Sequence, residues 1–243
     1  MTHASTIHLE TLADPEALAR RVADWLLAAA LHKDGTFSVA LSGGSTPRRL
    51  YQYLAEPGYC DRFPWQRTHW FWGDERFVPH DNEQSNYRMV HDALFAHVQV
   101  PPANIHPVPT EGVAPEAAAS AYDRELRAFY GADRLDPARP LFDVNLLGLG
   151  EDGHTASLFP GSPALAERDK WVVPSPGPKS DVRITLTYPA LESSAQVAFL
   201  VAGRGKREML ARLRGGDEAL PAAHVHPKGS LHIFGDVAAT GVE

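Results

Sequence analysis

Short apolar runs alternate with amphipathic segments along this chain, and several of the runs end in glycine or charge. A helix is predicted over residues 15–31, with Asp14 as its N-cap and Pro15 at its first position. A strand over 37–41 follows, then Ser42-Gly43-Gly44-Ser45-Thr46-Pro47 and a helix through Leu54. An aromatic strand, His69–Trp72, precedes helices over 86–98 and 117–130. The apolar run Leu141–Leu147 reads as a buried strand, and strands over 171–173, 183–187, 197–201 and 231–234 come later, with a helix near 206–213. This order predicts a three-layer α/β/α sandwich around a mainly parallel sheet. No repeat or long linker interrupts residues 1–243, so one domain is expected; the proline-rich stretches at 101–109 and 174–178 read as loops.

Composition narrows the classes of function. A net charge of −7 argues against a nucleic-acid partner, which needs a basic surface. It leaves room for a small anion gripped by local cations. Cys60 is the single cysteine, so no intrachain disulfide or thiol zinc site can form, and a reducing compartment fits better. Arg20-Arg21 followed by Trp25–Leu31 imitates a secretory signal. Asp24 interrupts it, and Leu18, Val22, Trp25, Leu26 and Ala29 recur at helical spacing. No run approaches a membrane span, so no membrane association is expected. The expected location is the cytoplasm, and the expected state a monomer or weak oligomer.

In open α/β sheets, ligands collect beyond the carboxyl ends of strands. The loops beginning at Ser42, Gly73 and Gly148 all occupy such ends, which predicts one shared site. In the first loop Thr46 is placed to cap the helix, and the helix start offers N–H groups to an anion such as phosphate. It is not a Walker sequence, because no Gly-Lys-Ser/Thr follows. In the second loop Asp74 and Arg76 share a face if the chain stays extended. Asn86 can contact sugar hydroxyls or cap the next helix. The third loop, Gly148-Leu149-Gly150-Glu151-Asp152-Gly153-His154, matches a dinucleotide fingerprint literally. Its context fails, because Pro160-Gly161 halts any crossover helix. His154 instead reads as a general base. A helical turn beginning there would favour its neutral form, and Asp152 would oppose that, so its pKa stays open. His224 and His226 alternate as strand residues would, without a third ligand at metal spacing. No Gly-x-Ser-x-Gly elbow supports a serine hydrolase. Arg183 opens a strand, and Lys206 begins a helix, where its charge opposes the dipole unless an anion offsets it.

Taken in order, Leu41–Pro47, Gly73–Pro79, Ser85–Arg88, Gly148–Pro160, Arg183–Leu186, Gly203–Lys206 and the tail from Leu220 resemble the 6-phosphogluconolactonase family. Ile233 departs from the aromatic residue frequent there. The resemblance implies a sandwich similar to sugar-phosphate deaminases and isomerases. It implies hydrolysis of 6-phospho-D-glucono-1,5-lactone, the second step of the oxidative pentose phosphate pathway, with no metal and no organic cofactor. On that basis His154, Arg76 and Asp74 are the expected catalytic residues. Ser42, Gly43, Gly44, Ser45, Thr46, Asn86, Gly150, Asp152, Gly153, Arg183 and Lys206 are the expected contacts to a phosphorylated sugar lactone. Two oxyanion donors stay open, the loop amides of Gly150–Gly153 and the Arg76 guanidinium. The alternatives are an aminosugar-phosphate deaminase or isomerase on the same scaffold, and a non-catalytic sugar-phosphate sensor.

Overall fold

The computed structural model describes residues 7–178 and 181–242. Its nine strands are β1 (Ile7–Leu12), β2 (Phe37–Leu41), β3 (Thr68–Trp72), β4 (Asp74–Arg76), β5 (Phe142–Gly148), β6 (Val172–Pro176), β7 (Val182–Leu186), β8 (Ser194–Val201) and β9 (Ser230–Asp236). The helices are α1 (Pro15–His32), α2 (Ser45–Ala55), α3 (Asn86–Val90), α4 (Pro115–Tyr130), α5 (Tyr188–Glu192), α6 (Arg207–Arg214) and α7 (Val237–Thr240). Six strands form one sheet in the order β1-β9-β8-β5-β2-β3, and every neighbouring pair in it is parallel. Helices flank this sheet, so strands such as β5 are shielded on both faces and buried along nearly their whole length. Burying each of Val144, Leu146 and Leu147 contributes about 1.5–3 kcal/mol.

The order of strands decides where a ligand can enter. From β2 the chain moves outward to β3, whereas β5 leads to β8 on the other side. The carboxyl ends of β2 and β5 therefore flank a topological switch point, where helices leave on both sides and a crevice opens. Ser42 and Gly148 stand on its two lips.

α1 forms as its pattern dictates. Asp14 accepts a hydrogen bond from the Ala17 amide at 2.7 Å, and Leu18, Val22 and Leu26 are buried. Trp25 covers the rim of that stripe, its ring 5.5 Å from Phe234. Among the described residues, no helix is long and apolar enough to cross a membrane.

Several local expectations are corrected. Residues 172–176 and 182–186 do not join the main sheet. They form a three-stranded antiparallel sheet, β4-β7-β6, with the short strand 74–76. Pro174 and Pro176 are strand residues there rather than loop, since an edge strand tolerates proline. The helix expected over 86–98 ends as α at Val90 and loosens into one π turn over His91–Phe95. His224 closes a 3-10 turn and His226 lies beyond it, so the two are not paired strand neighbours. Among the described residues no group of three or more His, Cys, Asp or Glu is placed to hold a metal. β1 escaped the sequence reading because Ile7-His-Leu-Glu-Thr-Leu is a short edge strand that mixes apolar residues with polar ones, none of them fully buried.

Candidate active site

A cleft of about 180 Å³ opens at the switch point, lined by Ser42, Gly43, Gly44, Asp74, Arg76, Asn86, Gly150, His154, Arg183 and Lys206, with Gly148, Leu149 and Ala156. Segments more than a hundred residues apart thus meet around one small volume. Each arrives from a carboxyl end. β2 supplies the Ser42 loop, β3 supplies β4, β5 supplies the glycine loop, and β8 supplies the turn at Arg204–Lys206. Arg183 comes across the small sheet, paired in register with Arg76.

Two buried tyrosines hold the strand ends. The Tyr51 hydroxyl accepts from the Ser42 amide at 3.0 Å and donates to the Ser42 carbonyl at 2.8 Å. Tyr122 does the same for Trp72, accepting from its amide at 2.8 Å and donating to its carbonyl at 3.2 Å. Burial pushes both phenols well above their ordinary range, so they stay neutral and able to donate. Neither was legible in the sequence, because a tyrosine at a helical apolar position reads as core.

The first loop differs from its expected capping. α2 begins at Ser45 behind Gly44, whose φ of 108° only glycine adopts without strain. Thr46 does not cap it; among the described residues no side chain does. The first-turn amides therefore remain for an anion, which is the property a phosphate site needs. Ser45 and Thr46 themselves lie in α2 outside the cleft lining. Gly43 is needed for a different reason. A Cβ there would stand 2.1 Å from Asn86 Oδ1, and Asn86 is buried and tied by its Nδ2 to the Asp74 carbonyl at 2.9 Å. A Gly43→Ala protein is expected to fold and to lose about tenfold or more in kcat/KM, measured against wild type at matched melting temperature.

The second segment is the most buried. Asp74 is 7% exposed, and its Oδ2 accepts from Ser157 Oγ at 2.6 Å. Ser157 in turn donates its amide to Thr185, so the glycine loop, β4 and β7 are bolted together. Ser157 falls within the matching segment Gly148–Pro160, and its spacing alone carries no such signal. Arg76 Nη1 donates to the Gln84 carbonyl at 2.6 Å, while its Nε is buried without a partner among the described residues.

The third segment carries the histidine. No helix starts there; residues 149–159 form consecutive turns. His154 Nδ1 lies 2.5 Å from Asp152 Oδ1, which also accepts the His154 amide at 3.1 Å. Burial opposes ionisation of Asp152, yet these hydrogen bonds outweigh it and hold the carboxyl below its ordinary range. A carboxylate only accepts, which assigns a ring proton to Nδ1, so that in the neutral tautomer Nε2 carries the lone pair. Phe159 packs on the imidazole with ring centroids 4.5 Å apart. Gly150 makes this fold-back possible, since a Cβ would stand 2.0 Å from His154 Nδ1. Asp152 and Gly153 lie outside the cleft lining; Asp152 orients the ring, and Gly153 turns the chain at φ 81°. Ala156, which lines the cleft, has φ 48° and is the one non-glycine residue with positive φ among those described. A strained residue of this kind persists where the surroundings over-determine the backbone.

The two remaining cations differ. Arg183 Nε donates to Asp181 at 2.6 Å, and its guanidinium lies 6.0 Å from the Phe159 ring centre. Lys206 pairs with no carboxylate among the described residues and stands at the start of α6. Its turn is held by Asp236, which accepts the Gly203 amide on both oxygens at 3.0 Å and the Ala239 amide at 2.7 Å.

The family profile described as glucosamine-6-phosphate isomerases/6-phosphogluconolactonase matches residues 13–233. This chain belongs to that family. It is 40% identical over 237 residues to a 6-phosphogluconolactonase of Nostoc sp., covering 95% of this chain and 96% of the other. The crystal structure of a 6-phosphogluconolactonase from Thermotoga maritima superposes with a TM-score of 0.81 at 33% identity, covering 95% of this chain and 100% of that one. A monomeric glucosamine-6-phosphate deaminase shares the fold at 20% identity and a TM-score of 0.80, covering 97% and 100%. The architecture expected from the alternation of elements is therefore that of the family.

Proposed function

We propose that this protein hydrolyses 6-phospho-D-glucono-1,5-lactone to 6-phospho-D-gluconate in the cytoplasm. The observation that carries the reading is a single cleft in which an oriented imidazole faces an anion-gripping rim. The amides at the start of α2, with Arg183 and Lys206, hold the phosphate through charge-assisted hydrogen bonds. That grip fixes the lactone carbonyl near His154. Nε2 of His154 takes a proton from water as the water oxygen bonds to C1. Charge develops on the carbonyl oxygen, and Arg76 supplies the donor. The loop amides of Gly150 and Gly153 already donate to the carbonyls of His154 and Gly150, at 2.8 and 3.2 Å, and that of His154 donates to Asp152. Arg76 Nε, by contrast, is a buried donor without a partner among the described residues, and of the unpartnered donors it belongs to a side chain that lines the cleft. The C1–ring oxygen bond then breaks, and His154 returns its proton to the departing oxygen. Asp74 and Asn86 shape the sugar pocket between these groups.

The test is proton release from freshly prepared lactone, because the acid product ionises at neutral pH. Strong acceleration is expected, with a marked preference for the phosphorylated lactone over gluconolactone and no effect of a chelator. Ammonia release from glucosamine 6-phosphate would favour the deaminase alternative. Binding of phosphogluconate without turnover would leave a sensor.

A further inference from the structure

Glu75 is 1% exposed and has no part in the reaction scheme above. Its carboxylate gathers donors from both sides of the loop that follows β4. Oε1 accepts the amides of Arg76 and Asn86, each at 2.7 Å. Oε2 accepts the Tyr87 amide at 2.7 Å and Ser85 Oγ at 3.1 Å. Among the described residues no cation pairs with it. Burial pushes its pKa up, and the amides of Asn86, Tyr87 and Arg76 pull it back. A buried charge is weak evidence of stabilisation, since a well-packed apolar group does as well or better. A geometric role accounts for it. Of the three residues whose backbone amides it clamps, Arg76 and Asn86 line the cleft and Tyr87 lies outside its lining. Asn86 also bonds the Asp74 carbonyl and packs directly against Gly43 on the β2 lip. Arg76 returns a bond to Gln84, closing the same loop.

We infer that Glu75 is a positioning residue, which sets the Arg76 guanidinium and the Asn86 amide in the cleft wall beside the Gly43 loop. The inference rests on the lactonase reading. It makes Glu75 act on the transition state through Arg76, while the phosphate-holding groups stand on α2, β7 and the turn before α6. Glu75→Gln keeps the shape and one acceptor oxygen but turns an amide NH2 toward two donors. Steady-state kinetics on the phosphorylated lactone should show kcat lowered about 10- to 100-fold, with KM changed by less than about threefold, since a displacement near 1 Å costs about that much. Phosphogluconate affinity, measured by calorimetry, should stay near that of wild type. Glu75→Asp keeps the charge and retracts the carboxylate by one methylene, and it carries the same test if the glutamine variant does not fold. A kcat within about twofold of wild type overturns the role. So does a KM that rises in step with the lost activity, or a lower melting temperature with unchanged kcat per folded molecule. Wild-type turnover reads the function separately: its absence would sink the lactonase assignment, whereas normal turnover in both proteins sinks only the role of Glu75.

Discussion

Replacing His154 with alanine is expected to lower kcat on 6-phosphogluconolactone by about 10²–10⁴-fold, the usual share of a general base. KM should change little, because the imidazole touches the reacting water and not the phosphate. The structure sharpens the expectation in two ways. Asp152 accepts the hydrogen bond of the Nδ1 proton, so a single nitrogen, Nε2, is left to accept from water. The Phe159 ring and the crowded Gly150 backbone hold the imidazole in one orientation. An Asp152→Asn protein should therefore lose part of the same activity by releasing the tautomer. If His154→Ala turns over near the wild-type rate, the base lies elsewhere, and the cleft needs another proton acceptor.

Removing Arg76 as alanine should cost about 10²–10³-fold in kcat, the range seen when one oxyanion donor is lost. A buried donor without a partner is expensive in the resting protein, and it is repaid only when charge appears beside it. Phosphogluconate binding should survive, since Arg183, Lys206 and the α2 amides remain. Arg76→Lys should recover little, because an ammonium on a flexible stem does not reproduce a guanidinium tied to the Gln84 carbonyl. Stopped-flow proton release separates kcat from KM for both proteins. Undiminished turnover in Arg76→Ala would hand the oxyanion to amides other than those of Gly150, Gly153 and His154.

The reading of Arg76 shows how sequence and structure divide the work. Its place after an aromatic strand marked it as exposed to a ligand, but the choice between guanidinium and loop amides needed hydrogen-bond partners. Ser157, Tyr51, Tyr122 and Glu75 show the same division. Each holds a cleft residue, or for Tyr122 the strand end just before one, from elsewhere in the fold, and none carries a local signal for that role. Thr46 is the converse. Local chemistry predicted a cap, and the backbone instead left the helix start open for an anion. The second sheet was missed because β4 is only Asp74–Arg76, too short for a period-2 pattern, and the far edge strand β6 contains two prolines.

From its sequence alone this chain determined which loops line the cleft and that its main sheet is parallel. Glycines and charges at strand ends, and apolar runs shielded on both faces, are local and periodic features. Tertiary structure alone decided which residues face one another, because strand order places the ends of β2 and β5 side by side and brings Arg183 in across a separate sheet. Contacts of that kind depend on distances in space between segments far apart along the chain, and no local pattern encodes them.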